Sequence, residues 1–254
     1  MKSSSKSPKT GKSMSLLRNL SLAALVMSVP FAAHADLDSV KSKGFLSVAT
    51  EDDSAPFNFI VDGKPEGFHK ELLEDLKAYA KEQKFDVKQD ILPWTGLLAS
   101  VSSGQYDVAF TGALVTDDRL RVFNFAPPFA SAQHFYVKRA DDKSLSDIAS
   151  LCGKTVGVQA GSALLARLPE LKKMMEAKNC KIGKVVEYPS YPEIYADLAN
   201  GRLDYAVNAL ISVNDLVKTR GDTFAKGIAV SGAGFAAWPV PKNSPELLKF
   251  LTGF

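Results

Sequence analysis

What most constrains this chain is an alternation, repeated twice, of short apolar runs with amphipathic stretches. Residues 45–50, 85–92 and 106–110 read as strands; between them 68–80 sets Leu72, Leu73, Leu76, Tyr79 and Ala80 at helical spacing, and 96–103 makes a shorter helix. The pattern returns downstream, where strands at 155–158, 184–188 and 204–208 alternate with helices at 162–178 and 191–200, followed by a helix at 210–219. Strand–helix–strand order suits parallel strands, because parallel neighbours need a long crossover and a helix supplies one. The expectation is an α/β protein of two lobes, each with a mixed, mainly parallel sheet.

The amino-terminal 35 residues stand apart. Lys2, Lys6, Lys9, Lys12 and Arg18 precede an apolar run at 20–31 and a small-residue site, Ala33-His34-Ala35, which together form a secretory signal cleaved after Ala35. The run is too short for a membrane span of about 20 residues, and no later stretch approaches that length. Five of the 31 basic residues and none of the 28 acidic ones lie in the leader, so its removal leaves 26 against 28 and a net charge of −2. The basic balance of the whole chain therefore says nothing about nucleic acid, and no basic stripe interleaved with aromatics is present. Both cysteines, Cys152 and Cys180, fall in the exported part, where an oxidising compartment favours a disulfide.

The stretch YDVAFTG at 106–112 ends a strand in small residues, Thr111 and Gly112, whose backbone a ligand can approach closely, and Arg119 follows shortly after. The carboxyl ends of strands are where open α/β sheets bind ligands, and a guanidinium there matches a carboxylate with two parallel hydrogen bonds. The plainer alternative pairs Arg119 with Asp117 or Asp118 on the surface. Glu51, Asp52 and Asp53 form an acidic loop at the end of the first strand, either a solvated turn or a partner for a cation. Ser162 opens a helix after a strand, so its hydroxyl caps the helix, binds an anion, or does both. Trp94, between a strand and a short helix, is either core or a pocket wall. Beyond the leader the histidines are His69 and His134, and with two distant cysteines they make neither a metal cluster nor a nucleophile–base pair.

Several of these runs occur together in a known order. LVTDDR at 114–119 and FAPPF at 125–129 resemble the Thr-x-x-Arg and Phe-Ser-x-Pro-Tyr run of the bacterial periplasmic solute-binding proteins that serve ABC importers of polar amino acids, the family 3 class. APF at 55–57, GF at 67–68, WTGLL at 94–98, SGQYD at 103–107, GKTVGV at 153–158, GS at 161–162 and GRLD at 201–204 extend the resemblance over nearly the whole chain after residue 40. The resemblance implies a two-lobed periplasmic-binding-protein-like (type II) fold with a two-strand hinge. It further implies a first lobe of residues 36–133 plus 235–254 and a second of 134–234, crossed near 133–137 and 231–235. Ligand contacts would come from Arg119, Ser162, Thr111, Gly112, Trp94, Glu51 and Asn208, with no cofactor or metal. The partners would be a small carboxylate ligand, an amino acid or derivative, and an inner-membrane ABC importer permease, served by a monomer.

The chain also departs from that pattern. The family's ammonium-binding Asp, five residues after Asp204, is Ala209 here, and the adjacent Asn208 points to the other face of its strand. Ser54 stands where an aromatic often stacks on the ligand, Leu114 where a Ser commonly assists the carboxylate, and His69 where an Asp usually starts a helix. His69 is read as a surface residue. An organic acid without an α-amine is therefore an alternative ligand, and a cyclohexadienyl or arogenate dehydratase-like enzyme on the same fold an alternative function. Ser244-Pro245-Glu246 starts a last helix, with the hydroxyl as its cap, and family members continue about one helix further, which makes the sequence look truncated.

Overall fold

The computed structural model describes residues 36–254; the expected leader lies outside the described residues. The first sheet has three parallel strands in the order Asp86–Leu92, Phe45–Glu51, Val108–Ala109. The helix Phe68–Glu82 makes the crossover between the first two and buries Leu73, Leu76 and Ala80 against them. The second sheet has five strands, in the order Lys184–Tyr188, Thr155–Gln159, Tyr205–Ala209, His134–Arg139, Phe224–Ala229. Its first three are parallel and its last two antiparallel to their neighbours. Each sheet has its own apolar core, one including Leu46, Phe110 and Trp238, the other Val156, Met175 and Tyr205. The fold is the two-lobed α/β arrangement. Between the cores the chain passes as two short strands side by side, Ala130–Ser131 paired with Phe235–Ala236.

The antiparallel strand Phe224–Ala229 was not legible as an element, because Gly227 and a register shift interrupt its apolar alternation. The glycine is needed there: a Cβ at position 227 would sit inside the Tyr136 ring. Cys152 and Cys180 form a disulfide that ties the loop before Thr155–Gln159 to the end of the helix Ala163–Glu176.

Two local expectations are corrected. His69 is not a surface residue; it is 1% exposed. Trp238 donates Nε1–H to His69 Nε2 at 2.9 Å, which leaves Nδ1 to carry the proton and donate to Asn58 Oδ1 at 2.9 Å. Both ring nitrogens are thus satisfied inside an aromatic cluster with Phe57, Phe110 and Phe129, and burial holds the imidazole down to about 3. Ser244 occupies the cap position of Pro245–Gly253 but makes no capping bond. Asp36 supplies it from the other end of the chain, its Oδ1 accepting from Glu246 N at 3.0 Å and Leu247 N at 3.2 Å. The same oxygen accepts from Leu37 N, at the start of the helix Leu37–Lys43. One carboxylate serves two helix amino-termini, where the positive end of the helix dipole favours it.

Candidate functional site

The carboxyl ends of the two sheets face each other, and the side chains there are set by strand termini. Phe45–Glu51 ends in Glu51 and Thr155–Gln159 ends in Gln159, 4% and 2% exposed. Both line one cavity of about 40 Å³, room for no more than a few water molecules. Of the residues singled out from the sequence, Glu51, Trp94, Gly112, Arg119, Ser162 and Asn208 come together around it. Thr111 does not reach the wall. It is fully buried behind Glu51, to which it donates Oγ1–H at 2.8 Å.

Arg119 lies on the short helix Asp117–Val122, whose cap, Thr116, accepts from the Arg119 backbone N–H. Its guanidinium ignores the neighbouring acids. Nη1–H donates to Leu114 O at 2.9 Å and Nη2–H to Gly161 O at 3.3 Å, with the group 5.2 Å from the Trp94 ring centre. Asp118 pairs instead with Arg121 at 2.8 Å, on the exposed side. The surface-pair alternative is therefore not what the fold makes. Burial lowers Arg119 to about 10, which leaves it fully charged at neutral pH, with a fork of five N–H donors only partly used on neutral carbonyls.

Gly112 is held against the Phe57 ring so closely that a Cβ would come within 2.9 Å of it, so the strand end must stay bare. Ser162 caps the helix Ala163–Glu176, its Oγ accepting from Leu165 N at 3.3 Å, and also faces the cavity. The two readings of this serine are compatible, because a hydroxyl oxygen that accepts from the backbone keeps its proton for another acceptor.

Glu51 is the electrostatic anomaly of the site. Burial, helped by Asp53 and Asp52, raises its carboxyl to about 8 against the opposing hydrogen bond from Thr111, so most of it is protonated at neutral pH. Asp53, raised to about 6 by burial and by Asp52, reaches across the cleft and accepts from Tyr191 N at 3.2 Å at the start of the helix Tyr191–Ala199. The Gln159 side chain lies close enough to Glu51 to favour its ionised form, yet its Nε2 has no hydrogen bond of good geometry.

Asn208 contributes a wall whose polar atoms are engaged, Nδ2 donating to Tyr195 Oη at 2.9 Å and Oδ1 accepting from Ala209 N at 2.7 Å. Ala209, Ser54 and Leu114 also line the cavity, so three of the four departures from the family pattern fall on the site itself, and His69 does not. Sequence reasoning missed Gln159, Tyr191 and Ser212. The signal for the first was available, since Gln159 is the last residue of a parallel strand, the same position that brought Glu51 to attention. Ser212, in the first turn of Leu210–Arg220, carried no such mark. Among the described residues no group of three His, Cys, Asp or Glu is placed to hold a metal ion.

The chain is similar to known proteins over most of its length. A family model described as bacterial extracellular solute-binding proteins, family 3, matches residues 46–254. The L-cystine-binding protein TcyJ of Escherichia coli (strain K12) is 30% identical over 235 residues, 89% of this chain and 83% of the relative. Among solved structures, holo ArgBP of T. maritima superimposes with a TM-score of 0.71 at 26% identity, covering 85% of this chain and 91% of that one. An amino-acid ABC transporter substrate-binding protein, AbpA of Streptococcus pneumoniae, bound to L-arginine, does so with a TM-score of 0.71 at 27% identity, over 85% and 89%. With the family model spanning both sheets and the site between them, the chain belongs to the bacterial extracellular solute-binding proteins of family 3.

Proposed function

We propose that this chain is a periplasmic receptor that closes its two lobes, 36–133 plus 235–254 and 134–234, on a small carboxylate-bearing solute, an amino acid or derivative. It acts as a binding protein rather than an enzyme, is released by cleavage after Ala35, and works as a monomer that presents the closed form to an inner-membrane ABC importer. The observation that carries the reading is the Arg119 guanidinium, charged, partly buried and hydrogen-bonded only to two carbonyls on opposite sides of the cleft.

A ligand carboxylate offers that fork a charge-assisted pair of bonds in place of neutral ones, and can share the Ser162 hydroxyl at the helix amino-terminus. Because Arg119 and Ser162 lie on opposite walls, the ligand contacts both only when the cleft is shut, and it favours the closed state by that difference. The acidic edge at Glu51 and Asp53 would take a cationic group, standing in for the carboxylate absent at Ala209. The amino-acid ligands named for TcyJ, ArgBP and AbpA support the solute class. Against an enzyme, His69 is locked between Trp238 and Asn58, and neither His69 nor His134 lines the cavity.

The test is a thermal-shift screen against free amino acids, opines and dicarboxylates, followed by calorimetric titration of Arg119→Ala, Arg119→Lys and Arg121→Ala with the ligand found. Stranding a carboxylate without its partner costs roughly 2–5 kcal/mol, about 30-fold to several-thousand-fold in affinity. The Lys variant keeps the charge but not the fork and should recover part of this. Arg121→Ala, at an exposed pair, should change nothing measurable. Undiminished affinity in a folded Arg119→Ala protein refutes the assignment.

A further inference from the structure

One ion pair meets both crossings between the two cores. It lies on the helix Ala163–Glu176, whose Leu164, Leu168 and Leu171 sit in the second core. Arg167 donates Nε–H to Glu170 Oε1 at 2.6 Å and Nη2–H to Glu170 Oε2 at 3.0 Å. A two-bond fork of this kind holds its shape where a single surface contact does not. Both partners also reach the chain just before the strand Phe235–Ala236. Glu170 Oε2 accepts from Gly232 N at 2.8 Å, and Arg167 Nη2–H donates to Gly232 O at 2.9 Å. A single residue is thus gripped through both of its backbone groups by side chains rooted in a core helix.

The grip falls where two sets of ties meet. On one side Ser231 is fastened to the start of the strand His134–Arg139, its Oγ accepting from His134 N at 3.0 Å and its O from Gln133 Nε2 at 3.1 Å. On the other, Ala132 N donates to Gly234 O at 2.8 Å and Phe235 pairs with Ser131, on the way to the first core. Rotation of one core against the other within this crossing therefore falls on Ala233 and Gly234. Gly234 packs against the pair as well: a Cβ there would come within 2.9 Å of Arg167 Nη1 and 3.0 Å of Ala132 O. His134, on the first crossing, is buried next to the pair; burial and then Arg167 disfavour its protonation, against Glu170.

We infer that Arg167 and Glu170 are a hinge clamp, which fixes the second crossing at Gly232 to the helix that carries Ser162 and so limits how far the lobes swing apart. This rests on the reading of the chain as a receptor that closes its lobes, and adds the residues that set the closing equilibrium. Neither side chain lines the cavity at Arg119, so both are positioning residues. Apparent affinity scales with the fraction of receptor that is competent to bind, and a looser clamp lowers that fraction without altering any ligand contact.

The test is the distance between nitroxide labels at Lys64→Cys and Lys218→Cys, read by pulsed electron resonance on ligand-free protein without reductant, so that the Cys152–Cys180 disulfide stays intact. Both positions are exposed, one in the hairpin that carries Ile60 and one on the helix beside Thr219, and Ile60 and Thr219 face each other across one groove between the cores. Arg167→Ala and Glu170→Ala should each raise the ratio of long to short separations by about three- to tenfold, the effect of one or two net hydrogen bonds. The double variant should go no further, because the two side chains act as a unit. Glu170→Gln, which keeps an acceptor for Gly232 N, should fall between parent and Glu170→Ala. Arg202→Ala breaks the Arg202–Asp197 pair, away from the crossings, and should leave the distances unchanged. A role confined to stability would lower the melting temperature of the clamp variants and leave the label distances as in the parent. If folded Arg167→Ala and Glu170→Ala keep the parent distances, or Arg202→Ala shifts them equally, the clamp is refuted while the role of Arg119 stands. Because the measurement needs no ligand, a failed amino-acid screen counts against the receptor reading alone, and the clamp is decided by the distances.

Discussion

Glu51→Gln isolates what the site costs the fold. The buried carboxyl of Glu51 is raised to about 8, against 4.5 for an unperturbed glutamate, with desolvation the main cause. Below pH 4.5 both folded and unfolded chains hold the proton and the group is neutral to stability. Above it the unfolded chain releases the proton first, so stability declines as pH rises and the loss is complete once pH passes the folded value near 8. A difference of three to four pH units corresponds to a loss on the order of 4 kcal/mol near pH 8, an upper figure because opening of the cleft lets water reach the carboxylate. Glutamine reproduces the protonated acid in shape and still accepts from Thr111 Oγ1 through its carbonyl oxygen. At pH 4 and below the variant and the parent should therefore melt together. At pH 8 the variant should be the more stable, by up to roughly 8–16 °C at 2–4 °C per kcal/mol for a chain of this size. The assay is thermal unfolding of ligand-free protein at closely spaced pH values, read as variant minus parent so that Asp53 and the other titrating groups cancel. A difference that is flat with pH refutes the claim that Glu51 is buried uncharged in the folded protein.

Two further perturbations test the frame around the site. His69→Phe strands Trp238 Nε1–H and Asn58 Oδ1 inside the first core and should cost about 2–4 kcal/mol in urea unfolding. Because the folded imidazole is held to about 3 while the unfolded one protonates near 6.5, the parent should lose stability relative to this variant as pH falls below about 6.5. A pH-independent difference would show that His69 is not buried neutral. Cys152 and Cys180, 28 residues apart, should yield no titratable thiol in unfolded, unreduced protein, and reduction should lower stability by about 3–4 kcal/mol through the loop it frees. Two reactive thiols without reductant would contradict the pairing.

Much of the architecture was legible because it is local and periodic. Apolar runs and 3.6-residue spacing located the Phe68–Glu82 and Tyr191–Ala199 helices and the Lys184–Tyr188 strand nearly to their ends. Strand ends followed by small or charged residues brought Glu51, Gly112 and Arg119 forward, since strand direction alone says which end carries a site. The strand Phe224–Ala229 escaped because its glycine is dictated by a tyrosine in another strand, 91 positions earlier in the chain.

The same limit applies to single residues. His69 looks exposed to a reader of neighbours in sequence, yet its partners Asn58 and Trp238 lie 11 and 169 positions away, and only the fold can satisfy both ring nitrogens. Asp36 caps a helix that begins two hundred residues later, in place of the serine beside it. By itself the sequence determined the class of fold, the family and most of the singled-out residues that line the cleft, because these depend on residue type, order and spacing. Only the tertiary structure decided which carboxyl sheds its charge and which arginine is left without an acid. Burial, long-range hydrogen bonds and voids are properties of how distant segments pack, and no periodicity along one chain encodes them.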